Sequence, residues 1–226
     1  MHRYNIFNQI HKGLRALLCE TAIDIQHADF WNTEEAAQVI DRIREVIRLF
    51  EKHAASEDTY IFSAINAWEP SVADAFEKEH VRDHELGEKL AAALEAYEAA
   101  PVITKKAEAA PRIQSAFMQF MAFNLDHMAR EEEVINPLLW RYYSDEQLRQ
   151  VTGQIISHIP ADYMARYSKW MIRGVNNAEL AAWLREVELT APEPVFRGLF
   201  AMAEQELGAH RFRQVLETMS GGAMVA

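Results

Sequence analysis

Four of the chain's nine histidines carry an acidic residue four positions downstream: His53–Glu57, His84–Glu88, His127–Glu131 and His158–Asp162. Residues four apart on a helix share a face, so such a pair presents an imidazole and a carboxylate toward one point. The chemistry this suits is metal ligation. Neutral imidazole and anionic carboxylate both bind first-row divalent cations, and a carboxylate can bridge two of them. The spacing alone is cheap: with 34 acidic residues in 226, about 15% of positions are acidic, and one or two such pairs arise by composition. Pro160 also interrupts His158–Asp162 as a helical pair.

Placement is more informative than spacing. His53 and Glu57 continue the apolar row Val39, Ile43, Val46, Phe50 toward Ile61, and His127 and Glu131 continue Phe117, Phe120 and Asn124 toward Ile135 and Leu138. His80 and His84 share a face with Phe76, Gly87, Ala91 and Leu94, while Glu88 turns toward the rim. His11 sits in the row of Phe7, Leu14 and Leu18. Burying an ionised carboxylate without a partner costs on the order of several kcal/mol. Five histidines and two glutamates on the inward rows of four successive helices therefore need a common explanation, beyond core histidines in ordinary hydrogen bonds with both glutamates at exposed edges. A pair of metal ions supplies it, with His11, His53, Glu57, His80, His84, His127 and Glu131 as candidate ligands. These ligand types suit Fe, Mn, Co or Zn alike. A ferritin-like di-iron oxidase wants two E-x-x-H motifs in the bundle, and only Glu77–His80 fits one.

The elements that must position these residues are helices. Gly (8) and Pro (7) are few, and the Ala-, Leu- and Glu-rich stretches have helical periodicity. One helix is expected from about Asn5 to about Ala28. Asn32 and Thr33, followed by Glu34 and Glu35, form an N-cap with an acidic first turn for the second. A third follows Pro70–Ser71, and Pro101 and Pro111 bracket a loop holding Lys105–Lys106 before a fourth helix from about 111 to about 142. The expected fold is all-α: an antiparallel up-down four-helix bundle over 1–143, then a C-terminal helical extension over 144–226. Breaks in the extension fall at Pro160, 174–177 and 192–194, and residues 220–226 read as a frayed tail.

Charge and composition narrow the classes. Lys+Arg of 23 against Asp+Glu of 34 gives a net charge of −11, unfavourable for nucleic acid or an anionic membrane. No run of about 18 apolar residues exists to span a bilayer. The single cysteine, Cys19, excludes an internal disulfide framework and fits a reducing, cytoplasmic setting.

With the pattern His11, H53-AAS-E57, H80-VRD-H84 and H127-MAR-E131 assembled, the sequence resembles the hemerythrin-like (HHE cation-binding) four-helix proteins over roughly residues 5–143. The resemblance implies a non-haem di-iron centre in which His80, His84 and His127 hold one iron and His11 and His53 the other. Glu57 and Glu131 would bridge them, leaving one open position for a small diatomic ligand. Oxygen carriers of the family place the second bridging carboxylate five residues after its His; Glu131 is at four, as in the bacterial and sensor-type branch. Many members of that branch take one ligand from the third helix, which leaves His80 and His84 as alternatives as well as partners. The implied function is binding or sensing of O2 or NO rather than turnover. Fe–S cluster repair or NO/peroxide detoxification is the enzymatic alternative, and the extension would serve a protein partner or self-association.

Other residues have plainer expected roles. Phe7, Phe50, Phe120 and Phe123 would form an apolar shell around the centre, and Cys19 a small buried hydrophobe. His27 would cap the first helix, and His158 and His210 would lie at the surface. Trp170 and Trp183, with Met164, Met171 and Leu184, would form the packing face of the extension.

Overall fold

A computed structural model describes residues 3–221. The frayed tail expected over 220–226 therefore lies largely outside the described residues. The chain is all-α, with no strand among the described residues. It runs through α1 (Asn8–His27), α2 (Thr33–Ser56), a π-helical segment Glu57–Phe62, α3 (Ser63–Asn66), α4 (Pro70–Glu98) and α5 (Ile103–Arg130). A second π-helical segment, Glu131–Ile135, leads into α6 (Asn136–Tyr142) and α7 (Asp145–His158). The remainder is α8 (Ala161–Gly174), α9 (Asn177–Thr190), α10 (Glu193–Glu206) and α11 (Ala209–Met219). No described helix is long and apolar enough to cross a membrane.

Local signals explain most boundaries. Asn32 accepts from the Glu34 and Glu35 amides at the start of α2, satisfying donors that the first turn leaves open. Pro70 opens α4, where its missing N–H costs nothing. Ser144 with Gln147 and Asn176 with Glu179 form reciprocal capping boxes for α7 and α9. The expected loop up to Pro111 is not present. α5 begins at Ile103 and carries Pro111 inside it. Pro111 is exposed, so its ring is on the solvent side, where a helix tolerates it best.

The chain forms two compact units. The first comprises the residues up to Phe7 with 17–159, the second 8–16 with 160–226, so α1 contributes to both. The first unit extends past the expected boundary at 143 and takes in α7, because Leu148 joins a buried cluster with Phe7, Ile61, Phe62, Ile65, Phe76, Ile135 and Leu139. In this unit α4 packs along α5, and α2 against α4.

The second unit has its own core of Ile172, Val175, Leu180, Leu184, Leu199, Ala203, Leu207, Phe212 and Val215. Trp170 and Leu184 are buried as expected of a packing face, with Met164, Met171 and Trp183 half-buried. Here α1 and α8 make a close backbone approach through two glycines. A Cβ on Gly13 would sit 2.8 Å from the Met171 nitrogen, and one on Gly174 would collide with the Lys12 carbonyl.

Candidate metal centre

Both H-x-x-x-E motifs lie across a change of helix type. His53 is in the last turn of α2 and Glu57 is the first residue of one π-helical segment; His127 is in the last turn of α5 and Glu131 opens the other. The wider turn is visible in the Asn136 amide, which donates to the Glu131 carbonyl five residues back. π-helical segments inside α-helices frequently mark functional sites, because the extra residue re-aims the side chains of the turn. His53 Nε2 lies 3.1 Å from Glu57 Oε1, and His127 Nε2 lies 3.3 Å from Glu131 Oε1.

The third helix of the site supplies one histidine. His80 Nε2 is 3.5 Å from Glu57 Oε2, and the His80 and His127 rings meet edge-to-face with centroids 4.9 Å apart. Glu57, His80, His127 and Glu131 are all buried, and their ligand atoms lie within 4.8 Å of one another. His11, fully buried on α1, forms a second buried donor group with His53, Glu57 and Glu131. Glu57 and Glu131 are the two residues common to both groups.

His84 corrects the expectation. Its side chain is 61% exposed and reaches Glu88 at 3.5 Å on the outer surface of α4. The buried row of α4 runs Ala73, Phe76, His80, Asp83, Gly87, Leu90, Leu94, Tyr97, alternating steps of three and four. At about 100° per residue, a step of four from His80 overshoots by roughly 40° and a further such step leaves the row. The inward neighbour of His80 is thus Asp83. Cys19 is corrected for the same reason: it lies beside the α1 row and is exposed. His27 is in the last turn of α1, and His27, His158 and His210 are exposed.

Two carboxylates beside the centre carry no signal in the H-x-x-x-E pattern. Asp58 Oδ1 lies 2.7 Å from His80 Nδ1, and Glu79 Oε2 lies 2.8 Å from His127 Nδ1. Glu79 is held in turn by Arg130. Each carboxylate accepts from an Nδ1–H, so that in the neutral imidazole the bare nitrogen is the Nε2 that faces the interior. The Nε2 atoms of His80 and His127 are buried and make no hydrogen bond of acceptable geometry. Adjacency in sequence to a candidate ligand was the available signal for both carboxylates, since Asp58 follows Glu57 and Glu79 precedes His80.

The electrostatics fit a cation. Burial by itself pushes the His80 imidazolium pKa down, but the hydrogen bond to Asp58 and the charges of the nearby Glu57 and Asp58 carboxylates hold it up at about 10 against an ordinary 6.5. His127 is likewise raised: burial opposes, and Glu131, Glu79 and Glu57 prevail. These shifts mark a buried pocket rich in carboxylate and short of positive charge. A metal ion bound by the same Nε2 and carboxylate atoms supplies that charge without protons, so the donor set fits a metal. Aromatic rings close the surroundings: Phe62 lies 5.2 Å from His80, and Phe123 stacks on His127 at 5.9 Å. Phe7, Phe50 and Phe120 are buried, with Phe50 and Phe120 in edge-to-face contact.

A helical bundle whose interior presents buried imidazoles around two shared carboxylates belongs to the metal-binding class of such bundles. The chain belongs to the hemerythrin family: the hemerythrin HHE cation-binding domain matches residues 2–139. It is also similar to the zinc finger protein BRUTUS-like of Arabidopsis thaliana, with 24% identity over 181 residues. That similarity covers 76% of this chain and 14% of the plant protein, so the chain spans a small part of that relative. No solved structure matches the chain.

Proposed function

We propose that this protein holds two iron ions at the His/Glu centre and binds or senses a small diatomic ligand, O2 or NO. The observation that carries the reading is the buried convergence of Glu57, His80, His127 and Glu131 within 4.8 Å, with Glu57 and Glu131 shared by the group containing His11 and His53. Two shared carboxylates between two pairs of imidazoles are what a bridged pair of cations requires. Iron follows from the family resemblance, since the ligand types alone accept Mn or Zn as well.

The metal ions would supply open coordination positions and electrons for the diatomic. The chain's residues do the rest. Asp58 and Glu79 orient His80 and His127, Glu57 and Glu131 neutralise the cations, and Phe62, Phe76 and Phe123 keep bulk water from the rings. Sensing is favoured over storage because the chain carries a second unit with a separate core, suited to a protein partner or self-association. The test is elemental analysis of untagged protein, followed by O2 and NO spectra. Close to two irons per chain and a reversible adduct support the reading. Metal-free protein that also ignores added Fe(II) overturns it, and sustained turnover of NO or peroxide would favour the detoxifying alternative.

A further inference from the structure

We propose that Asp83, held by Asn124, is a specificity-determining residue of the centre: its carboxylate repels anionic ligands and leaves the open metal positions to neutral diatomics. The inference rests on the metal-centre reading above and extends it to ligand choice.

The argument begins with placement. His80 pairs with His127, Asp83 with Asn124, and Gly87 faces Phe120, so α4 and α5 run antiparallel. Asp83 and Asn124 therefore occupy the layer one helical turn from the His80–His127 layer, on the same side of it. Both are buried, Asp83 at 5% exposure and Asn124 at 2%. Asn124 Nδ2 donates to Asp83 Oδ1 at 2.5 Å and to the Phe120 carbonyl at 3.1 Å, which fixes the carboxylate in place.

Beyond linking α4 to α5 through Asn124, Asp83 has no structural role to explain its burial. It belongs to neither donor group, caps no helix, and has no Lys or Arg partner among the described residues. The charges that act on it come from the three helices of the site: His127 of α5, His80 of α4 and His53 of α2. Burial pushes its pKa up and outweighs Asn124 and these imidazoles, which push it down, so the metal-free carboxyl stands above its ordinary value. Divalent cations bound among the same histidines would act in the direction of those imidazoles and more strongly, and would draw the carboxyl back to its ionised form. A fixed negative charge one turn from the metals opposes entry of an anion and leaves a neutral molecule unaffected.

The experiment uses the full metal-loaded chain, with azide as anionic probe and NO as neutral probe. Asp83→Asn keeps an acceptor for Asn124 and removes the charge. Expected are azide affinity raised about tenfold or more, NO affinity within about threefold of the parent, and unchanged metal content and melting of the metal-free protein. Asp83→Glu should restore weak azide binding, and Asp83→Ser gives the same charge readout should the Asn variant fail to fold. Unchanged azide affinity at parental metal content, or equal tightening of azide and NO, would overturn the proposal. So would loss of metal from Asp83→Asn, which would make Asp83 a support of the ligands. A parent chain that takes up no metal fails earlier, at loading, and brings down the metal-centre reading itself.

Discussion

His127 Nδ1 and Glu79 Oε2 lie 2.8 Å apart, and Glu79 immediately precedes His80, whose own Nδ1 is held at 2.7 Å by Asp58, the residue after Glu57. The bracing is crossed: the carboxylate that orients each imidazole is the sequence neighbour of another candidate ligand. Outer partners of this kind typically contribute 10–100-fold to metal affinity. Glu79→Ala and Asp58→Ala should each lower iron affinity by about 10- to 100-fold without unfolding the chain. Titration with Fe(II) in a competing chelator checks this. Parental affinity in both variants would show that the Nδ1 contacts have no part in binding.

Removal of the metal should cost stability. A ligand present at 100 times its dissociation constant contributes about 2.7 kcal/mol, and a chain of this length shifts its melting midpoint by roughly 2–4 °C per kcal/mol. Chelation at neutral pH should therefore lower the midpoint by about 5–10 °C. Glu131→Ala, which deletes a fully buried carboxylate common to both donor groups, should abolish the response to chelator. Differential scanning calorimetry of both proteins with and without chelator separates the cases; equal shifts in parent and variant would remove Glu131 from the site.

Much of this was legible in the sequence because helical rows are periodic. The continuation of Phe50 into His53 and Glu57, and of Phe120 into His127 and Glu131, required only a step of three or four. His84 was not legible because a step of four is tolerated once but drifts when repeated. On α4 the heptad-like alternation chose Asp83 and Gly87, and only the whole buried row from Ala73 to Tyr97 reveals it. The π-helical segments at Glu57 and Glu131 leave no compositional trace, since they change backbone register and not residue type. Pro111 misled for a physical reason: an interior proline costs a helix one backbone hydrogen bond and a clash with the carbonyl four residues back, but it does not forbid the helix, and at this exposed position α5 continues through it. The attachment of residues 8–16 to the second unit depends on Gly13 and Gly174, whose missing side chains are silent in any periodicity.

Those glycines give a steric prediction. A methyl group on Gly174 would collide with the Lys12 carbonyl, and one on Gly13 would press on the backbone of Trp170 and Met171. Backbone cannot rotate away as a flexible side chain can. Gly174→Ala and Gly13→Ala should each destabilise by about 1–3 kcal/mol or more, despite Ala being the better helix former. Gly153→Ala, where nothing lies within 4 Å of the added carbon, should be neutral or stabilising. Denaturant unfolding of the three variants makes the comparison, and equal effects at all three positions would remove the close approach as the cause.

Glu179 should make the second unit's stability depend on acid. Its Oε1 accepts from Lys12 Nζ at 2.5 Å and Asn8 Nδ2 at 3.0 Å, and its Oε2 accepts from the Asn176 amide at 3.0 Å as part of the α9 capping box. Burial acts to raise its pKa, but Lys12, Asn8 and the Asn176 amide outweigh it and hold the carboxyl below its ordinary 4.5. The folded state thus binds the proton more weakly than the unfolded state does. The stabilisation is fully present above pH 4.5 and is lost as pH falls through the lower folded-state value. Glu179→Gln should destabilise by about 1–2 kcal/mol at pH 7, and the gap to the parent should close as pH drops below 4.5. Urea unfolding of the two proteins across that range measures it. A gap that stays constant with pH would mean that Lys12, Asn8 and Asn176 hold Glu179 by shape rather than by its charge.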